Sequence, residues 1–527
     1  MNGRARTANT LPIGVGLVVL LALGLPGALA ADVPQEQAKA AKKPKAAVAP
    51  QVTPADASQA PETPVEMSPE AKQLPETPTE PDSFKPAPQY PAYDASDELA
   101  VYVGKHLNDT VNPPVDLGLG LYDRGAYAPR PTLLGEKNPV YFHFMAYGDM
   151  RTAVADNDTG KVFPNGKNFQ SQVATRLNLD LDLNLTPTER IHAFMRPLDQ
   201  NGAFTRYDID GGVKDKFFQE FNSKLLSLFF EGDLGNMLGG ILGRPSKFDL
   251  PIAGGLVPIF TQNGIWIQDT FRGFSFAVTA KNSKALDISN FDVTFFTALD
   301  GATSPAFNGH GSAKIYGLAG FADLLKGYLE AGYGYVEAQD RDLSYHNVTA
   351  AFTTRIEGTV SNSVRLIGNF GQKAAVKTAN GLLVLVENSL ITSRPLTLVP
   401  YLNLFAGFDS PQSLARALDA GGPLGNTGIN FQTDGLTGFP ALDAGGHDSY
   451  GGALGVEYLF ELQRQIVFEG AAVGRMRNNP MGAQYAFGAS YQQPINNAWI
   501  VRVDAMRGWL ERAPDIYGVR LELRRKF

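Results

Sequence analysis

The chain has 527 residues, with 46 Lys+Arg against 53 Asp+Glu, six His and no Cys. The missing Cys excludes disulfides, thiolate zinc sites, iron–sulfur clusters, covalent haem, a Cys nucleophile and a lipid anchor on an N-terminal Cys. A formal charge of −7 speaks against a nucleic-acid partner, which selects a basic face. At ~150 residues per domain the length suggests three or four soluble domains, a reading that the patterning below replaces.

Residues 1–30 read as a cleaved secretory signal. Arg4 and Arg6 give the basic start, Leu11 to Leu25 carries no charge, and Ala28-Leu29-Ala30 supplies a small–x–small cleavage site. An uncleaved anchor is the competing reading; the apolar run is short for one and is followed by Pro26. Residues 31–95 form a disordered Pro/Ala-rich spacer, poor in the branched and aromatic residues that offset ordering entropy. Its placement would be periplasmic; a tether using Lys39, Lys42, Lys43 and Lys45 on an anionic partner is the second reading. Residues 96–136 read as a short periplasmic or lumen-associated segment, with a helical turn or two from Asp97 to Leu107 ended by Pro113-Pro114.

From residue 137 onward period-two alternation takes over. Every odd position from Leu177 to Leu185 is Leu, and the even positions between are Asn or Asp, so one face of a strand is apolar and the other polar. The short connector Pro187-Thr188-Glu189 leads to a second strand beginning at Arg190, which makes a hairpin. The same alternation marks about 18 segments near 139–149, 172–186, 190–198, 223–232, 237–245, 271–280, 290–299, 312–320, 327–338, 343–355, 358–370, 381–392, 398–408, 449–460, 464–475, 482–493, 496–508 and 514–527. Most approach the ~9–11 residues of a tilted membrane-spanning strand. Long connectors (150–171, 199–222, 246–270, 300–311, 409–448) tend to alternate with short ones; 339–342 breaks the rule. A secreted β-sandwich or jelly roll also alternates, but this many apolar faces are satisfied together by lipid around a closed sheet. The expected fold is therefore all-β: a transmembrane antiparallel up-and-down β-barrel of about 18 strands (16–18) over 137–527.

The last residues, Tyr517-Gly518-Val519-Arg520-Leu521-Glu522-Leu523-Arg524-Arg525-Lys526-Phe527, resemble the terminal strand of Gram-negative outer-membrane barrels. That resemblance implies that Phe527 is the signal read by the barrel-assembly machinery, and it implies an outer-membrane location. The whole of 137–527 looks most like porins or alginate-export-type channels; the Pro-rich stretch belongs to neither pattern. The implied partners are the lipid bilayer, the assembly machinery and small hydrophilic solutes, with the barrel monomeric or trimeric.

If the Leu faces meet lipid, the alternate faces line a lumen with Arg176, Asp180, Asp182, Arg196, Asp292, Glu330, Arg365, Glu457, Glu469, Arg502, Asp504, Arg520, Glu522 and Arg524. Mixed sign suggests weak selectivity, or acids and bases on opposite walls; cross-strand pairing that stiffens the wall is compatible with both. Residues 246–269 are too apolar for a solvated outer loop. Porins, which the chain resembles, fold their third outer loop into the barrel. By that likeness 246–269 is expected to be the constriction, with Arg244, Lys247, Asp249, Asp269 and Arg272 near it; packing on a neighbouring subunit is the alternative. Asp156-Asn157-Asp158-Thr159-Gly160 and Asp208-Ile209-Asp210-Gly211-Gly212 lack the Glu that closes an EF-hand loop and read as turns. The His are scattered, so no metal or other cofactor is expected, and no Ser–His–acid signature points to an enzyme. The expected function is an outer-membrane porin for passive diffusion of ions and small hydrophilic solutes. The alternatives are a substrate-selective channel for a charged polymer, as in alginate export, and a scaffold barrel for a partner protein.

Overall fold

A computed structural model describes residues 111–118, 130–132, 135–137 and 143–527, apart from 161–168, 187, 201–202, 212–216, 245, 308–312, 434, 478 and 480. The signal over 1–30, the spacer over 31–95 and the turn from Asp97 to Leu107 lie outside the described residues. Within 96–136, Val115–Leu117 pairs antiparallel with Phe144 to Ala146, and Arg130–Thr132 pairs with Gly135–Lys137.

Eighteen strands follow one another around a closed antiparallel sheet. They are β1 (His143–Asp158), β2 (Phe169–Asn184), β3 (Arg190–Met195), β4 (Leu225–Asp233), β5 (Pro251–Thr261), β6 (Ile267–Ser283), β7 (Ile288–Ala302), β8 (Ala313–Leu324) and β9 (Gly327–Ala338). The second half comprises β10 (Tyr345–Ile356), β11 (Val360–Phe370), β12 (Asn380–Leu390), β13 (Leu398–Ser410), β14 (Ser449–Glu461), β15 (Arg464–Arg475), β16 (Gln484–Pro494), β17 (Trp499–Leu510) and β18 (Ile516–Lys526). β18 returns to β1, from Tyr517 opposite Asp158 to Lys526 opposite Asp149. Phe527 completes the seam by exchanging two backbone bonds with Gly148, 2.9 and 3.0 Å long. The seam is continuous there, whereas at the third strand position Val257 to Thr261 of β5 pair only with β6 among the described residues.

The alternation sorts the two faces. On β18, Val519 and Leu523 are exposed while Arg520 and Glu522 are buried; on β16, Tyr485 and Phe487 are exposed while Ala486 and Gly488 are buried. Leu366, Leu382, Leu402, Leu404, Leu454, Phe468 and Val503 extend the outward apolar belt.

Two departures from the expected elements offset each other. Residues expected as a strand over 237–245 lie in a helix, α1 (Leu234–Ile241), and in the turn after it; the Asp233 carboxylate caps the helix by accepting from the Asn236 backbone N–H. The apolar segment expected as the inward-folded loop 246–269 is mostly strand: β5, then a tight turn at 262–266, then the start of β6. Its apolarity is that of a strand wall plus a tucked turn. The third strand position is also broken. Arg190–Met195 pairs with one half of β2 and Ala203–Gly211 with the other, and the residues between them form an inserted turn.

The segment that fills the interior is the long connector 411–448. It is fastened by two large apolar clusters, besides a small one of Leu436 with Ala153, Ala174 and Phe204. One joins Leu414 and Ala415 to Trp266, Ile267, Phe271 and Phe296. The other joins Leu424, Phe431 and Leu442 to Ile265, Ile367, Leu383, Leu385 and Phe405. Wall glycines make room for these elements. A Cβ on Gly332 would come within 2.3 Å of the Trp266 ring, and one on Gly334 within 2.5 Å of Leu414.

Candidate functional site: an arginine-lined cavity beneath an inward loop

Three inward arginines stand side by side in one row of the sheet. Arg524 on β18 is directly opposite Arg151 on β1, and Arg151 is directly opposite Arg176 on β2. Facing like charges on neighbouring strands repel; each one here is held by a carboxylate from elsewhere. Arg524 donates to Asp149 at 2.6 Å, Arg151 to Glu522 at 2.6 and 2.8 Å, and Arg176 to Asp199 at 2.7 Å. On β17, Asp504 accepts from Arg502 at 2.9 Å and from Arg520 at 2.6 and 3.0 Å. The Arg520 guanidinium also lies 5.3 Å from the centre of the Phe439 ring.

Of these groups Arg151, Arg176, Arg502, Arg520 and Asp504 line a cavity of about 280 Å³, joined from the loop by Asp419 and Asn430. Four guanidinium groups and two carboxylates line the cavity, with the Glu522 and Asp199 carboxylates behind Arg151 and Arg176. The loop is pinned over it by two buried charges that have no opposite charge bonded to them. Glu469 on β15 accepts from Tyr401 at 2.5 Å, from Ile429 N–H at 3.0 Å and from Asn430 N–H at 2.8 Å. Arg416, itself in the loop, donates to the carbonyls of Ala420, Gly421 and Gly264. Burial pushes the Arg416 guanidinium down to about 10.

The remaining residues expected at the lumen take varied places. Asp180 and Asp182 face His192, and Tyr147 donates to Asp182 at 2.7 Å. Arg365 sits between Glu330 at 3.7 Å and Glu387 at 3.6 Å, and donates to Gln262 in the tucked turn. Asp292 accepts from the Ala280 backbone N–H. Glu457 shares the inward register of β14 with Ala453 and Gly455. Arg196 is on no wall strand; it lies in the inserted turn and reaches Asp419.

The five residues expected around a 246–269 constriction are not gathered at one. Arg244, Lys247 and Asp249 lie in the turn region beside α1, between β4 and β5. Arg272 pairs with Asp300 on the exposed surface. Asp269 alone is buried; it accepts from Thr303, which exchanges bonds with the Arg416 backbone, so it stands beside the loop that fills the interior. The connector between β4 and β5, which contains α1, is at the same end of the sheet as the short turns between β2 and β3 and between β8 and β9.

Sequence reasoning missed Arg151, Asp199 and Asp419. Arg151 continues the odd-numbered inward register past the expected strand end at 149, and that continuation was readable. Asp199 and Asp419 lie in connectors, where period-two reasoning has no purchase. Among the described residues no group of three or more His, Cys, Asp or Glu is placed to hold a metal ion.

No family model matches the chain, and no curated protein does. Solved structures do resemble it. Acinetobacter baumannii OccAB3 aligns at 12% identity over 73% of this chain and 99% of that one, with a TM-score of 0.48. The outer-membrane protein opdK from Pseudomonas aeruginosa aligns at 14% identity over 72% and 98%, with a TM-score of 0.46. Pseudomonas aeruginosa OccK5 (OpdH) aligns at 12% identity over 73% and 98%, with a TM-score of 0.46.

Proposed function

We propose that the chain is an outer-membrane channel that selects small anionic solutes. Both ends of the barrel, and the spacer before it, lie on the periplasmic side in this reading, and Phe527 is the assembly signal. The observation that carries the selectivity is the cross-strand row Arg524, Arg151, Arg176. Holding three like charges in adjacent register costs stability, and a passing anion recovers part of that cost. The loop 411–448 favours selection over unrestricted diffusion, because its apolar clusters occupy interior space that an open pore would leave to water. Acids that hold the arginines fix their side chains on the inward face, and a guanidinium recognises carboxylate or phosphate in a fork geometry.

The test uses the purified, refolded chain in liposomes with size-matched anionic, neutral and cationic solutes. Faster entry of the anion than of its neutral and cationic counterparts supports the reading. Equal entry of all three, or preference for the cation, overturns it.

A further inference from the structure

Two inserted elements meet inside the barrel. One is the turn that interrupts the third strand position, carrying Arg196; the other is the loop 411–448, carrying Asp419. Arg196 Nη1 lies 3.3 Å from Asp419 Oδ2, and the Arg196 Nε–H donates to Asn178 on β2 at 3.2 Å. The next pair along the same turn is Asp199 with Arg176. Asp419 lines the arginine cavity, so the pair ties the loop to the inserted turn at that cavity, on the side of the wall where Leu436 packs on Ala153, Ala174 and Phe204.

The pair differs in kind from the other loop fastenings. Glu469 and Arg416 are almost fully buried, whereas the Asp419 side chain is 49% exposed and that of Arg196 28%. Exposed ion pairs are weak and are screened by salt. A tie of that strength is closed for part of the time only, while Glu469 and Arg416 keep the loop docked, and its two partners change the cavity charge in opposite senses when released.

We infer that Arg196 and Asp419 form a reversible latch that sets both the aperture and the anion preference of the channel. This rests on the selective-channel reading above. When the pair is closed, Asp419 is neutralised by Arg196 and the loop is held across the cavity. When it opens, the segment around Asp419 is released and Asp419 becomes an uncompensated negative charge beside Arg151, Arg176, Arg502 and Arg520.

Single-channel recording on the full chain tests this with R196Q, D419N and the charge-swapped R196D/D419R protein. Both single variants are expected to raise the share of time in the wider conductance level about two- to five-fold, the range set by an exposed ion pair. The swapped protein is expected to return to the wild-type share. Raising KCl from about 0.1 M to about 1 M should move the wild type toward the single variants and leave those variants unmoved. The zero-current potential should shift toward greater anion preference in D419N and toward less in R196Q. Equal level occupancies in all four proteins, or a swap no closer to wild type than its parents, overturns the latch. A wild type that prefers cations overturns the channel's proposed selectivity but leaves the occupancy measurements to decide the latch. Heat-dependent mobility of each variant in gel electrophoresis confirms that its barrel has formed, and the salt arm needs no variant.

Discussion

Replacing Glu469 should release the inward loop without opening the barrel. Glu469 is 1% exposed, and its carboxylate accepts three hydrogen bonds, two of them from the loop backbone at Ile429 and Asn430. A hydrogen bond to a charged group contributes about 1.5–3 kcal/mol. Glu469→Ala therefore removes at most ~5–9 kcal/mol, and water entering from the adjoining cavity returns much of it. Glu469→Gln keeps one acceptor oxygen but sets an amide NH₂ against a backbone N–H, for a loss of about 1.5–3 kcal/mol. A local loss of ~2 kcal/mol raises the open population of the loop on the order of 30-fold. The barrel pairing does not depend on the loop and should persist. Chymotrypsin in detergent reads the effect directly, because Leu424 and Phe431 are buried by the docked loop. Cleavage there should quicken in the order wild type, Gln, Ala, with a parallel rise in single-channel current noise. If the Ala variant resists cleavage as the wild type does and its current is unchanged, the loop 411–448 is not held at Glu469.

Arg176→Gln should lower the ratio of anion to cation permeability several-fold, on the order expected for removing one charge from a narrow ring, and leave cleavage at Phe431 unchanged. Gly334→Leu places a side chain where a Cβ already lies 2.5 Å from Leu414; it should displace the loop and speed the same cleavage. Asp504→Ala removes the carboxylate shared by Arg502 and Arg520 and should destabilise the barrel by up to ~3–5 kcal/mol, read as a lower urea midpoint in detergent. At the loop end, the Ala483 backbone N–H bonded to Glu511 holds that carboxyl below its ordinary value. A depressed carboxyl contributes its stability above the unfolded value and loses it as pH falls through the folded one. Hydrogen exchange at Ala483 should therefore quicken, relative to the intrinsic rate, only once pH falls below the ordinary glutamate range, and Glu511→Gln should remove that dependence.

The barrel was legible because its evidence is repeated. Leu177 to Leu185 shows one face in a single window, and the same period recurs in strand after strand. Where the signal failed, the cause was local. In β5, Gly254, Gly255 and Pro258 interrupt a run that is apolar on both faces, so the alternation vanishes and the strand resembles a hydrophobic loop. In α1 the apolar residues Leu234, Met237, Leu238 and Ile241 follow the three–four spacing of a helix, preceded by the cap at Asp233. That signal is present in the sequence, but Gly235, Gly239 and Gly240 between the apolar residues make the segment resemble a strand. One strand lost and one gained left the count at 18.

The inward loop was harder to place. Its apolar residues Leu414, Leu424, Phe431, Leu436 and Leu442 carry the same argument against a solvated loop that 246–269 seemed to carry, and here it leads to an inward-packed segment. The wall partners that receive it, Gly332, Gly334 and Glu469, are far away in the chain, and only tertiary pairing brings them together. Inward Arg and Asp residues on strands could be read from parity. Their pairing could not, since Asp199 and Asp419 come from connectors whose direction no periodicity records.

The zero-current potential of the wild-type channel across a KCl gradient tests the central claim most directly. An arginine row under a pinned loop predicts a potential of the sign set by chloride, diminished in Arg176→Gln. A potential of zero, or one of the sign set by potassium, would contradict it.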